Sequence, residues 1–222
     1  MGLLSASAGR INIRNDSRAF MGMNTFTCNY PCTDVHKGMI FPRPDLDPRD
    51  IRVVMISECP PADRSDYYYE SGSGAFFQTT RTAFRDAGCA IETYEDLTRM
   101  GIYLTTAIKC GKRGYLVSAK TIRECALRFL KPELEQFPDI GMILCMGDFA
   151  IKAVNSVYKE KHGKSPIPSG STYKIRKQEY IRNGVRFLPS YTHTGESFNI
   201  EKVKRQMIAE DIRTALDYLK AR

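Results

Sequence analysis

The sequence predicts an α/β fold, a three-layer α/β/α architecture with a central, mostly parallel, four-stranded sheet. Short apolar runs rich in β-branched residues recur along the chain, as expected for strands that are buried on both faces. Segments with helical features separate these runs, and strands that alternate with helices form an open parallel sheet covered on both sides. At 222 residues, the chain is long enough for one well-buried domain and short for two.

The elements of the first half are predicted from local patterns. Residues 28–50 are rich in Pro, Cys and Asp and are predicted to form a loop. The apolar run at residues 51–56 predicts the first strand. Residues 79–88 are amphipathic and end in glycine, which predicts a helix. A second strand is predicted at residues 102–108.

The second half continues the alternation. A capping-box pattern, Thr121-Ile-Arg-Glu124, predicts the start of a helix that runs to about Phe137. The basic, turn-rich residues 159–183 are predicted to be an insertion or a hairpin. The third strand is predicted at residues 140–146 and the fourth at residues 185–188. One helix is predicted to begin at residue 147, and a long C-terminal helix is predicted at residues 200–219. Because no internal repeat and no second domain are visible, we expect residues 1–27 to be an N-terminal extension and residues 28–222 to be a single domain.

Charge and hydropathy restrict the class of protein. The formal net charge of +8 and the isoelectric point near 9.1 favour an anionic partner such as nucleic acid, although a solvated basic surface is the alternative. No apolar run approaches the roughly 20 residues that a membrane helix needs, and the N-terminus lacks the pattern of a secretory signal. We therefore expect a cytoplasmic monomer without a membrane partner.

Four of the seven cysteines are candidates for a metal centre. Cys28 and Cys32 lie in one loop, Cys110 follows a predicted strand, and Cys125 lies in the predicted first turn of a helix, where the helix dipole favours a thiolate. Four thiolates suit an iron–sulfur cluster or a structural zinc ion, and four buried thiols remain the third interpretation. An odd number of cysteines without an export signal disfavours a disulfide framework.

The three other cysteines are interpreted differently. Cys59 lies in a predicted active-site loop, and Cys89 follows a glycine that ends a predicted helix. Cys145 lies inside an apolar strand and is most simply a core residue.

Several motifs occur in a characteristic order from residue 28 to about residue 219. After the cysteine pair, a strand leads into Ser57-Glu-Cys-Pro-Pro61, and Gly74-Ala-Phe-Phe77 follows. Thr105-Thr-Ala-Ile-Lys-Cys110 precedes the helix that carries Cys125, and Ile143-Leu-Cys-Met-Gly147 and Leu188-Pro-Ser-Tyr-Thr-His-Thr194 complete the series. In this order and spacing, the chain resembles the iron–sulfur uracil-DNA glycosylases of the family-four and family-five type.

The resemblance implies a 4Fe–4S cofactor and roles for particular residues. Its ligands would be Cys28, Cys32, Cys110 and Cys125. Phe77 or Phe76 would stack on a flipped base, and Thr106, which stands at the position of the family's base-reading Asn, would contact the base together with Ser190. Glu58 would orient or deprotonate water and His193 would donate to the departing base. The cations that would meet phosphates are Lys109, Lys112, Arg113 and Arg123, with a solvated basic face as the alternative.

Three functions are compatible with these patterns. The first is a DNA glycosylase that removes uracil or a related damaged or modified base in base-excision repair. The second is a non-catalytic iron–sulfur protein of the same fold that binds nucleic acid. The third is a zinc-stabilised basic binding module, which would be colourless where an iron–sulfur protein is brown.

Overall fold

The structure, a computed structural model, describes residues 28–70, 72–195 and 197–221. The predicted N-terminal extension, residues 1–27, lies outside the described residues. The strands are β1 Val35–Met39, β2 Val53–Ser57, β3 Ile102–Thr106, β4 Cys110–Lys112, β5 Met142–Met146, β6 Tyr180–Arg182 and β7 Val185–Ser190. The helices are α1 Ala75–Asp86, α2 Tyr94–Arg99, α3 Ala119–Cys125, α4 Lys131–Leu134, α5 Asp148–His162, α6 Thr172–Ile175, α7 Ser197–Ile200 and α8 Lys202–Lys220.

A central sheet with the strand order β3-β2-β5-β7-β6 organises the fold. The first four of these strands are parallel, which confirms the predicted open parallel sheet. In register, Ser57 pairs with Thr106, and Met146 pairs with Ser190. The carboxyl ends of the parallel strands therefore meet at one edge of the sheet, where open α/β folds bind ligands. A separate antiparallel pair, β1 and β4, lies outside this sheet.

Two apolar layers cover the sheet. Along β2, Val53 and Met55 pack into one layer, with α1, α2 and α8, while Val54 and Ile56 pack into the other, with α3, α4 and α5. Successive side chains of a strand point to opposite faces, so a strand that is apolar at every position needs helices on both sides. The three-layer α/β/α architecture follows from this.

The central sheet has five strands rather than the predicted four. The additional strand, β6, lies at the end of residues 159–183, the segment predicted to be an insertion or a hairpin. It forms a hairpin with β7, the next strand, and pairs antiparallel with it. Asn183 and Gly184 form its turn with φ angles of 50° and 79°, both in the left-handed region. Asn-Gly is the dipeptide that a two-residue hairpin turn of this kind favours, because both positions need a positive φ.

Two predicted helix starts are wrong by a few residues. Helix α1 begins at Ala75 rather than residue 79, and the carboxylate of Asp66 accepts the Ala75 N–H at 2.8 Å. Helix α3 begins after Ser118, whose hydroxyl accepts the Thr121 N–H at 3.1 Å, so Thr121 is not the cap. A π-helical turn, Ala126–Leu130, joins α3 to α4.

No helix in the described ranges is long and apolar enough to cross a membrane.

Candidate functional site

A carboxylate stands at the carboxyl edge of the sheet. Glu58 directly follows β2, and its Oε1 accepts the Phe149 N–H from the first turn of α5 at 3.4 Å. Gly147 makes this approach possible, because a Cβ on it would lie 2.6 Å from the same oxygen and its φ of +101° suits glycine. The backbone thus leaves room for one acidic side chain at the start of α5.

Burial raises the pKa of Glu58 above its usual range. The N–H of Phe149 and the charge of Lys112 act in the opposite direction, and Asp148 adds to the increase. Burial thus makes this carboxylate a stronger base than an exposed one, while the cation and the helix N-terminus favour its ionised form. Sequence reasoning identified Glu58 but missed Lys112 and Asp148 as its electrostatic neighbours.

Glu58 opens onto a cleft of about 260 Å³. This volume is slightly below the roughly 300–1,000 Å³ of typical small-molecule sites. Its far wall comes from the segment after β7 and from α8, where Lys204 Nζ stands 5.4 Å from the ring centroid of Tyr191. The lining residues are Glu58, Gly147, Asp148, Thr172, Tyr191, Thr192, Phe198, Glu201, Lys204 and Ile208.

His193 is buried beside this cleft rather than in its lining. Its Nε2 lies 3.0 Å from the hydroxyl of Thr80, which itself donates to the Phe76 carbonyl at 2.6 Å. With that proton committed, the Thr80 oxygen accepts from Nε2–H, and Nδ1 becomes a bare acceptor. Nδ1 has no hydrogen-bond partner among the described residues. Burial lowers the pKa of His193 to about 4, so the ring is neutral at physiological pH.

The predicted base-contacting residues are closed off by neighbouring side chains. Thr106 is fully buried with its hydroxyl 3.0 Å from that of Tyr67. Ser190 is buried and donates to Asp211 at 2.6 Å. Neither side chain lines the Glu58 cleft, and their contact with a base stays a prediction.

Phe76 and Phe77 both lie in an aromatic cluster on the α1 side of the sheet. The ring of Phe76 is 5.2 Å from that of Tyr68, and the ring of Phe77 is 4.8 Å from that of Tyr94. Both phenylalanines are buried. The aromatic cluster would therefore have to open before either phenylalanine could stack on a base, as predicted.

The structure corrects the prediction for Lys109. Its side chain is fully buried and its ammonium donates to Glu133 Oε2 at 2.5 Å, Thr105 Oγ1 at 2.8 Å and the Thr106 carbonyl at 2.7 Å. All three protons are satisfied inside the protein, so Lys109 does not contact phosphate. Lys112, Arg113 and Arg123 are exposed, as a phosphate-binding role requires.

Cys28, Cys32, Cys110 and Cys125 line one small cavity of about 20 Å³. The remaining wall is mostly apolar, from Tyr30, Val35, Met39, Ile108 and Phe129, with Thr121 and Arg128. Three segments that are distant in sequence, the loop with Cys28 and Cys32, β4 and α3, therefore bring their thiols to a common space.

The thiols of this cavity are held by burial and by a few donors. Burial raises the pKa of Cys110 to about 11 and that of Cys125 to about 12, and nearby thiols, including that of Cys28, add to both increases. The Lys109 N–H donates to Cys125 Sγ at 3.4 Å. Cys125 is the last residue of α3, so the predicted dipole effect of a helix start does not apply to it.

A sulfur-ligated group suits this cavity in its donor atoms, its apolar wall and the N–H···S contact, all of which are typical of buried thiolate sites. As the side chains stand, no group of three or more His, Cys, Asp or Glu residues within 28–70, 72–195 and 197–221 is arranged to hold a metal ion. The ligand set therefore stays a prediction.

The other cysteines differ in their surroundings. Cys59 is buried beside Glu58 and the thiols of Cys110 and Cys125, and burial raises its pKa to about 12. Cys89 is half-buried with its sulfur 4.0 Å from that of Met100. Cys145 is fully buried in the core, as the sequence predicted.

Comparisons with known proteins identify the family of this chain. The model of the uracil DNA glycosylase superfamily matches residues 44–215. A Thermus thermophilus protein described as a type-5 uracil-DNA glycosylase is 22% identical over 182 residues, which cover 78% of each chain. A crystal structure of wild-type UNG from Nitratifractor salsuginis matches 74% of this chain and 73% of that chain, at 11% identity and a TM-score of 0.35. Because the family model spans well over half of its length, the chain belongs to the uracil DNA glycosylase superfamily.

Proposed function

We propose that this protein is a DNA glycosylase that hydrolyses the N-glycosidic bond of uracil or a related damaged or modified base, with residues 28–222 acting as one glycosylase-like domain. The observation that carries the proposal is Glu58. A carboxylate placed at the carboxyl edge of the sheet, at the start of a helix and open to a cleft suits attack by water on a sugar that develops positive charge.

Glu58 has two roles in the proposed reaction. Its carboxylate orients the attacking water and accepts its proton, and its negative charge stabilises the oxocarbenium-like sugar. Burial supports the first role because it raises the pKa of Glu58 and so makes the carboxylate a better base. Lys112 supports the second because it lowers the pKa of Glu58 and keeps the ionised form populated.

The departing base leaves as an anion and needs a hydrogen-bond donor. His193 is the proposed donor, and its neutral ring suits a site where an anion develops without a fixed cation. Since the Thr80 contact leaves Nδ1 as an acceptor, the ring must release Thr80 or change tautomer in order to donate. Replacement of Thr80 by Val would remove this contact with His193. The variant is expected to change the rate of base excision because the His193 ring is no longer held by Thr80.

We also propose that Cys28, Cys32, Cys110 and Cys125 hold a 4Fe–4S cluster. The cluster would supply a structural tie between the N-terminal loop, β4 and α3 rather than the hydrolytic chemistry. Iron and acid-labile sulfide analysis with the visible spectrum of purified protein tests this, and stoichiometric zinc in a colourless protein would contradict it.

The second candidate function is non-catalytic binding of nucleic acid by the same fold. It is favoured by the burial of Thr106, His193, Phe76 and Phe77, which leaves none of the predicted base-contacting groups in the Glu58 cleft. A binding protein would keep the exposed cations and need no open base pocket.

Formation of abasic sites separates the two functions. Purified protein is incubated with single-stranded and duplex oligonucleotides that carry uracil or another deaminated base, and alkali-labile strand breaks are counted. Glu58→Gln is expected to abolish excision while DNA binding persists, whereas Glu92→Gln, an exposed carboxylate paired with Arg81, serves as the matched control. Full excision by Glu58→Gln would contradict the role of Glu58. Tight DNA binding by wild-type protein without excision of any base would favour the non-catalytic function.

A further inference from the structure

The loop between β4 and α3 exposes two large apolar side chains in succession. Tyr115 is 94% exposed and Leu116 is 80% exposed, and they are the two most exposed large apolar residues in the part of the chain that the structure describes. We call residues 113–117 the tip loop. A single exposed apolar residue is ordinary, but an adjacent pair at the end of a loop forms a protruding contact surface.

The base of the tip loop is fixed. Asp34 ties both sides of the loop, because its carbonyl accepts the Arg113 N–H at 3.1 Å and its carboxylate accepts the Ser118 N–H at 2.8 Å. Val117 is buried in the core layer below. With both ends of the loop anchored, Tyr115 and Leu116 stay exposed and belong to neither apolar layer of the described residues.

The surroundings of the tip loop are uniformly cationic. From residue 110 to residue 123 the chain contains four basic residues and no acidic residue, and all four are exposed: Lys112, Arg113, Lys120 and Arg123. The carboxylate of Asp34 is engaged by Ser118 and Thr121 at the base of the loop. A partner with regularly spaced negative charges and flat apolar faces between them complements this surface, and nucleic acid has both.

Strand β4, which leads into the tip loop, lies near the Glu58 cleft. Lys112 Nζ stands 6.0 Å from the ring centroid of Phe149, the residue whose N–H binds Glu58. Gly111 packs against the backbone of Pro60 and Pro61, which follow Glu58 in sequence. DNA lying on the cations of this loop would therefore place its bases near the cleft.

We propose that Tyr115 and Leu116 form a wedge that inserts into the base stack of DNA, while the surrounding cations hold the phosphates. The choice of DNA as the partner rests on the proposed function. A glycosylase must take its target base out of the stack, and an apolar side chain that fills the gap stabilises the unstacked state.

The double variant Tyr115→Ala/Leu116→Ala tests the wedge. The probe is a duplex oligonucleotide with 2-aminopurine next to uracil, whose fluorescence rises when the bases unstack. Wild-type protein is expected to raise the fluorescence and the variant is not. The variant should bind about 5- to 150-fold more weakly, the range measured for loss of base stacking. The dependence of log K on log salt should keep its slope, because no cation is removed.

Ile181→Ala provides the matched control. Ile181 is 56% exposed on β6, at the opposite edge of the sheet from β3, and its truncation should change neither binding nor fluorescence. Equal melting temperatures of all three proteins establish that the fold is intact.

The outcomes separate the wedge from the glycosylase activity. A double variant that binds and unstacks the duplex as wild type does overturns the wedge, and the proposed function stands if both proteins still form abasic sites. A weaker complex with a shallower salt slope also overturns it, since lost charge contacts would then explain the effect. Unstacking by wild type that the double variant loses supports the wedge, even where no abasic sites form and the glycosylase proposal fails.

Discussion

Breaking the buried ion pair between Lys109 and Glu133 should be among the most destabilising single changes in this protein. Both side chains are fully buried, and Lys109 Nζ lies 2.5 Å from Glu133 Oε2. The other carboxylate oxygen, Oε1, accepts the hydroxyls of Tyr103 and Thr105, each at 2.8 Å. Glu133→Gln leaves a buried ammonium that has only neutral acceptors, and Lys109→Met leaves a buried carboxylate without its cation.

The expected loss follows from this geometry. Removing one partner of a buried pair costs about 3–5 kcal/mol, because an uncompensated charge remains in the interior. That is a large part of the roughly 5–15 kcal/mol by which a domain is stable. The double variant Lys109→Met/Glu133→Gln removes both charges and keeps an amide oxygen for Tyr103 and Thr105, so it should be more stable than either single variant.

Urea unfolding measures these free energies. At an m-value of about 2 kcal/mol/M, each single variant should lower the unfolding midpoint by roughly 1.5–2.5 M. The double-mutant cycle should give a coupling energy of 2 kcal/mol or more, well outside additivity. Lys131→Met removes an exposed pair with Glu160 and should leave the midpoint nearly unchanged. Additive effects below about 1 kcal/mol for each single variant would refute the burial of this pair.

Three further changes test other parts of the molecule. Cys125→Ala should lose iron and solubility together, whereas Cys145→Ala should keep its iron, and full iron occupancy in Cys125→Ala would contradict the ligand assignment. Burial lowers the pKa of His193 from 6.5 to about 4. Below pH 6.5 the unfolded chain therefore binds a proton that the folded protein does not, so the free energy of unfolding falls as the pH drops towards 4, by about 3 kcal/mol in total. Urea unfolding at pH 6.5 and pH 4 should show this loss of unfolding free energy in the wild type and a smaller loss in His193→Gln. Neutralising Lys112 and Arg113 should weaken DNA binding for all sequences and reduce the salt slope by about 1 per lost phosphate contact, and an unchanged slope would mean a solvated surface.

The parallel strands could be predicted because burial on both faces leaves a continuous apolar run in the sequence. Val53–Ser57 and Met142–Met146 show this, and each lies within its predicted segment or extends it by one residue. Strand β6 has only three residues, two of them exposed, and therefore carries no such run. The Asn183-Gly184 dipeptide was its available signal, because it marks a tight hairpin turn.

Lys109 shows why part of the site could not be predicted. A basic residue next to a cysteine is expected at the surface, and nothing in the local sequence contradicts that expectation. Its partner, Glu133, lies 24 residues further along the chain. The signal was at Glu133 itself, which shares the inward face of its helical segment with Leu130, Leu134 and Phe137. A charge on an apolar face predicts a buried partner of opposite charge.

The proposed cluster and the proposed wedge share their anchoring residues. Asp34, which fixes both ends of the tip loop, lies two residues after Cys32, and the loop leaves β4 shortly after Cys110. If those cysteines ligate a cluster, the metal centre holds the base of the loop from both sides. Loss of the cluster would then release Tyr115 and Leu116 from their fixed position before it disturbed Glu58, which is held by the start of α5. Under both proposals, the cluster would contribute to DNA recognition through structure, without taking part in the hydrolysis.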